Sequence, residues 1–142
     1  KAFIATMEPL DDELLDRVKE HKAQRGPEWT TFEEPVEIAG LLEKLDGQDV
    51  VLIDCLTLWL SNLMMRGRDI EAESEKLISK IVKISEKQTV FIVSNEVGMG
   101  IVPENKQGRE FRDMAGTLNK KIAETADEVY LIVSGIPVRI KY

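Results

Sequence analysis

The chain has 142 residues, 43% of them hydrophobic and 32% charged, with a formal net charge of −7. That size suits one globular domain able to bury a core without disulfides. No apolar run is long enough to span a bilayer, and no cluster of Lys and Arg offers a footprint for nucleic acid. The single cysteine, Cys55, lies in an apolar run. It reads as a buried thiol, in keeping with a reducing, cytoplasmic setting.

Strand and helix patterns alternate along the chain. Lys1 to Thr6 reads as a short apolar strand. Asp11 and Asp12 can cap a helix running to about Gln24, which Gly26-Pro27 stops. A helix is expected from Pro35, with Ile38, Leu41, Leu42 and Leu45 at helical spacing and Gly47 ending the pattern. The run DVVLID, Asp49 to Asp54, reads as a strand buried on both faces, and a short helix is expected over Leu58 to Met65.

Glu71 to Lys87 has Leu77, Ile81 and Ile84 on one face and charges on the other, an amphipathic helix. Thr89 to Val93 reads as a second buried strand, followed by a Gly- and Pro-bearing loop from Ser94 to Gly108. Arg109 to Ala126 is expected to be helical, with Phe111, Ala115, Leu118 and Ile122 as its inner stripe. Val129 to Val133 and Ile136 to Lys141 flank a Ser134-Gly135 turn, which is too short for a crossover and so predicts an antiparallel hairpin. The alternation predicts one α/β domain over 1–142, with a mostly parallel sheet flanked by helices.

Ligands of such sheets bind beyond the carboxyl ends of the strands. Those ends are polar here: Thr6, Asp54, Ser94-Asn95-Glu96 and Ser134 are expected to converge on one rim. Asp54 follows four apolar residues, the Walker-B arrangement in which an acid holds Mg²⁺, usually through water. His21 is the only histidine, with Lys22 and Arg25 close by. On its own it reads as an ordinary helix-surface residue or as a nucleophile, since a neutral imidazole can attack phosphorus while neighbouring cations neutralise phosphate charge. The long loop after Val93 reads as part of a site, with Asn95, Glu96, Arg109 and Arg112 as candidate contacts. The bland alternative for the two arginines is a solvated helical face. Trp29, Trp59, Met64 and Met65 read as packing or subunit-contact residues.

Three strings carry a resemblance: DCLTLWLSNL from Asp54, SNEVGMGIVPEN from Ser94, and FRDMAGTLN from Phe111. With the segment from Asp11-Asp12-Glu13 through Arg17, His21 and Arg25 to Trp29 and Glu33-Glu34-Pro35, they resemble the adenosylcobinamide kinase/adenosylcobinamide-phosphate guanylyltransferase family. The resemblance covers Phe3 to Lys141. It implies a RecA-like P-loop NTPase fold and two steps of cobalamin biosynthesis. ATP or GTP phosphorylates adenosylcobinamide; then GTP guanylylates an enzyme histidine, and GMP passes to adenosylcobinamide phosphate to give adenosylcobinamide-GDP.

By that resemblance His21 is the nucleophile. Ala5, Thr6, Met7, Lys22, Ala23, Gln24, Arg25, Glu33 and Asp54 line the nucleotide, and Asp54 serves Mg²⁺. The assembly implied is a homotrimer. Such families open with a strand and a Walker-A loop, GxxxxGK[ST], which residues 1–142 do not contain. Two alternatives are a different P-loop kinase or nucleotidyl transferase, and a catalytically silent binding subunit.

Overall fold

The computed structural model describes residues 1–45 and 47–142. They pack as two compact units, Lys1–Asn95 and Glu96–Tyr142. The first unit contains strand β1 (Ala2–Ala5), helix α1 (Asp12–Gln24), β2 (Thr30–Glu33), α2 (Ile38–Leu42), β3 (Val50–Asp54), α3 (Leu56–Met65), α4 (Ile70–Ser85) and β4 (Thr89–Val93). Its strands form one parallel sheet in the order β2-β1-β3-β4.

The core follows the apolar strings. Ala2 and Ile4 of β1 and Val51 and Ile53 of β3 have no exposed surface, and neither do Leu56, Leu60 and Leu63 of α3 or Leu77 of α4. Each large apolar side chain buried in this way contributes roughly 1.5–3 kcal/mol. α4 is the amphipathic helix expected, with Asp69 accepting from the Ala72 amide at its N-terminus and Leu77 and Ile81 buried. α1 differs: its N-cap Asp11 accepts from the Leu14 amide, yet none of its 13 residues is buried.

One strand went unread: Thr30–Glu33 presents no long apolar run, and parallel pairing with β1 makes it β2. Three expectations need correction. The helix expected from Pro35 to Gly47 spans only Ile38–Leu42. β4 was read as a buried strand, but it pairs only with β3 among the described residues, and Phe91 and Val93 are 54% and 41% exposed. Met65 is exposed at the end of α3, which removes the packing reading of it and leaves that of a subunit contact.

The second unit contains a short 3-10 turn (Val97–Met99), α5 (Lys106–Thr125), β5 (Val129–Val133) and β6 (Ile136–Lys141). α5 starts three residues before the expected Arg109, because Asn105 caps it by accepting from the Gly108 amide at 2.6 Å. Ala115, Leu118 and Ile122 form its buried stripe, as expected. β5 and β6 make the expected antiparallel hairpin. Ser134 (φ 51°) and Gly135 (φ 77°) both occupy the left-handed region, the two-residue geometry that matches the twist of a hairpin. Ser134 is thus a hairpin-turn residue, not the end of a strand in the parallel sheet.

Candidate functional site

In-register parallel pairing aligns the strand ends of the first unit. Ala5 pairs with Glu33 on one side and Asp54 on the other, and Asp54 pairs with Val93. Glu33, Ala5 and Asp54 therefore stand in one transverse row at the carboxyl edge of the sheet. The row exists only because Thr30–Glu33 is a strand, the element that sequence reasoning missed. The alternation of Phe32 between Thr31 and Glu33 was the available signal, too short to stand out from a loop.

The last turn of α1 is brought to this row. Lys22 forms an ion pair with Glu33 across about half-exposed side chains. Arg25 donates from Nη1 to the Thr31 hydroxyl at 2.9 Å, and its guanidinium lies 3.3 Å from the centroid of the Phe3 ring. Trp29 also meets Phe3 edge-on, the two ring centroids 6.3 Å apart. Burial lowers the Arg25 pKa from its ordinary value, and the negative charge of Asp54 partly opposes that shift. His21 stands exposed beside Lys22, with Ala23 and Gln24 completing the turn.

Thr6 is fully buried. Its hydroxyl donates to the Cys55 carbonyl and accepts from the Cys55 amide, both at 2.7 Å, and its amide donates to the Asp54 carbonyl at 3.0 Å. Thr6 thus holds the end of β3 beside the end of β1. The peptide between Asp54 and Cys55 is cis. Cys55 is the buried free thiol expected. Met7, next to Thr6, is half-buried.

α3 begins immediately after Cys55, and three of its polar atoms reach the other strand ends. The Thr57 hydroxyl accepts from the Asn95 amide at 2.8 Å. Trp59 donates from Nε1 to the Val36 carbonyl at 2.7 Å, so it is more than the packing residue it was read as. Asn62 donates from Nδ2 to the Thr6 carbonyl at 2.8 Å and to the Pro35 carbonyl at 3.0 Å. Sequence reasoning passed over Thr57 and Asn62. The signal was an asparagine set among leucines in Leu56–Met65, where an unpaired amide would be expensive to bury. Glu34 completes the frame by accepting from the amides of Val36 and Glu37 at 3.0 and 2.7 Å.

The remaining candidates fall at the end of the first unit and in the second. Asn95 closes the first unit at the end of β4. In the second unit, Glu96 accepts from the Gly98 amide at 3.2 Å and Arg112 donates to the Gly98 carbonyl at 2.6 Å. Arg109 donates to the carbonyls of Pro103 and Glu104 at 3.1 and 2.5 Å. Both guanidiniums staple the loop 96–105. Gly108 is required there, since a Cβ would sit 2.7 Å from Pro103 Cβ. Ile101 at the loop's tip is 96% exposed.

Among the described residues no group of three or more His, Cys, Asp or Glu side chains could cage a metal ion. Asp54 is a lone carboxylate at a strand tip. Such a donor fits an ion like Mg²⁺, which takes one or two carboxylates and completes its shell with water and phosphate oxygens.

Comparison with known proteins gives the family of the chain. The family model for cobinamide kinase / cobinamide phosphate guanyltransferase matches residues 1–140. The bifunctional adenosylcobalamin biosynthesis proteins CobU of Salmonella typhimurium and of Escherichia coli K12 are each 39% identical, over 98% of this chain and 84% of their own length. CobP of Pseudomonas aeruginosa, of the same description, is 36% identical over 99% of this chain and 82% of its own. With a full-length family match and relatives well above 30% identity, the chain belongs to the cobinamide kinase / cobinamide phosphate guanyltransferase family.

Proposed function

We propose that this chain phosphorylates adenosylcobinamide and then transfers GMP from GTP to adenosylcobinamide phosphate through His21. The observation that carries the reading is the junction of the last turn of α1 with the sheet edge: Lys22 bonded to Glu33, itself in one row with Ala5 and Asp54. That junction gathers a histidine, two cations and two carboxylates on residues 21–54.

Nucleotide phosphates are recognised by charge-assisted bonds from cations, and ribose hydroxyls by carboxylates. Lys22 and Arg25 supply the first and Glu33 the second, while Ala5, Thr6, Met7, Ala23 and Gln24 form the surrounding wall. His21 uses a neutral ring nitrogen to attack the α-phosphorus of GTP; the bond to pyrophosphate breaks and a phosphoramidate forms. A phosphate oxygen of adenosylcobinamide phosphate then attacks the same phosphorus, releasing the imidazole and leaving adenosylcobinamide-GDP. Asp54 would hold Mg²⁺, whose chemistry is to neutralise phosphate charge. The loop 94–105 is assigned to the cobinamide side of the reaction, with Asn95 and Glu96 near its start. Arg109 and Arg112 keep that loop in shape. The working assembly in this reading is a cytoplasmic homotrimer with a reduced Cys55. Among the described residues no helix is long and apolar enough to cross a membrane.

Intact mass after incubation with GTP and Mg²⁺ tests the reading. A gain of one GMP, labile in mild acid and absent in His21→Ala, is expected. Uptake of GMP by His21→Ala would remove His21 from the mechanism. Light scattering at several concentrations tests the trimer.

A further inference from the structure

The run DCLTLWLSN distinguishes this sequence, yet the proposed chemistry uses only its first residue. The run from Leu56 onward lies in α3, and three of its polar side chains are bonded to the segments that follow the strands. Thr57 is bonded at the end of β4, Trp59 after β2, and Asn62 after both β1 and β2. α3 itself follows directly from β3. One short helix therefore touches the carboxyl end of every strand in the parallel sheet.

Asn62 is central among these. It is 91% buried, with 9% of its surface exposed, and a single Nδ2 group serves two carbonyls from segments 29 residues apart in sequence, Thr6 and Pro35. Those carbonyls have a direct line to the site. Thr6 is bonded to Asp54 and Cys55, and Pro35 follows the Glu33-Glu34 end of β2. A buried amide with both protons bonded fixes two backbones more firmly than apolar contact, because losing it strands two carbonyls without partners.

We infer that Asn62 is a positioning residue for the nucleotide: it sets the spacing between the Thr6–Asp54 edge and the Glu33 edge while touching neither nucleotide nor metal. The inference rests on the nucleotide reading of that rim. A shift of about 1 Å in a binding frame lowers performance by up to about 100-fold, so the frame and its ligand should respond together.

The test uses the full chain and the variants Asn62→Leu and Asn62→Ser. Leucine keeps the branched shape without the donor, and serine retains one donor. Hydrogen exchange is read by mass spectrometry over peptides covering residues 5–8, 33–38 and 70–85, and KM and kcat for GTP are read in the guanylylation assay well below each melting temperature. In Asn62→Leu, exchange should accelerate about ten-fold at 5–8 and 33–38 and stay unchanged over 70–85, with KM for GTP raised about ten-fold and kcat little altered. Asn62→Ser should fall between. A purely structural role would instead lower kcat through a smaller folded fraction at unchanged KM, and that pattern overturns the inference. So do unchanged exchange at 5–8 and 33–38, or acceleration spread evenly over all three segments. If Asn62→Leu does not fold, Asn62→Ser decides by the same criteria. If the unsubstituted chain takes up no GMP, the nucleotide reading fails while the exchange pattern still decides whether Asn62 holds the two edges.

Discussion

Thr6 and Cys55 lock the ends of β1 and β3 together, one hydroxyl both donating to and accepting from a single residue's backbone at 2.7 Å. The two residues are 49 positions apart, and no water-exposed path relieves either group, since Thr6 is fully buried and Cys55 is 6% exposed.

Thr6→Val keeps the shape and removes the hydroxyl. The Cys55 amide and carbonyl then lose their partner in a buried setting, which costs about 1–3 kcal/mol for each stranded group. Thr6→Ser should recover most of that loss. Urea unfolding midpoints of the three proteins provide the comparison; equal midpoints for valine and threonine would contradict the bonding.

Exchanging the charges of the Lys22–Glu33 pair separates structure from function. The pair is about half exposed, so its stability contribution is within about 1 kcal/mol. Lys22→Glu with Glu33→Lys should unfold at nearly the same denaturant concentration as the unsubstituted protein. GTP binding, measured calorimetrically, should nevertheless fall more than ten-fold, because a phosphate-facing cation and a ribose-facing carboxylate have traded places. Retained affinity would mean that neither side chain meets the nucleotide.

Acid stability should depend on Arg68. Its hydrogen bond to Glu37 holds that carboxyl below its ordinary value. A depressed folded-state pKa means the stabilisation is complete above the ordinary glutamate value of about 4.3 and is lost as pH falls through the lower folded value. Arg68 also bonds Glu73. Arg68→Leu should therefore flatten the decline of stability below about pH 5, followed by unfolding midpoints across pH 3 to 7. Both acids are partly exposed, so the change is a shallow one.

At the hairpin tip, Ser134 adopts φ 51°, a region that asparagine tolerates better than serine. Ser134→Asn should stabilise the protein by about 0.5 kcal/mol, since Asn-Gly is the favoured pair for such turns. Gly135→Val should destabilise it, because a β-branched residue is poorly accommodated at φ 77°. Thermal melts of both variants give the comparison.

Much of this architecture was legible in the residues. VVLID and TVFIV are strands because β-branched and aliphatic residues fit a pleated sheet, and both fall where their pattern placed them. The cap of α1 was equally plain, since Asp11 precedes an acidic first turn. The Ser134-Gly135 hairpin followed from a connection too short for anything else. What stayed hidden depends on distant partners. Thr30–Glu33 is a strand because β1 lies beside it, and no local pattern announces that neighbour. The exposure of Phe91 and Val93 likewise depends on which strands adjoin β4. Of the candidate site, His21, Lys22, Arg25 and Asp54 stood out by residue type and Glu33 entered only through the family resemblance, while the ties through Thr57, Trp59 and Asn62 required the spatial arrangement of four strand ends.

The parallel pairing has a consequence for how the protein comes to be folded. β5 and β6 are joined by two residues, so their register can close within microseconds, as isolated hairpins do. β1 must instead find Val51 to Asp54 after about fifty intervening residues have been made, and β3 then waits for Thr89. Loop closure over such distances carries its entropic penalty before any pairing rewards it, which makes sheets of this kind slow to form. On a ribosome delivering residues from the amino terminus, Thr6 emerges well ahead of its partner at Cys55 and the amide of Asn62, which arrive some fifty residues later. The sheet edge that would hold nucleotide is therefore a late structure, assembled only once α3 has been synthesised and has bound back onto strand ends made long before it.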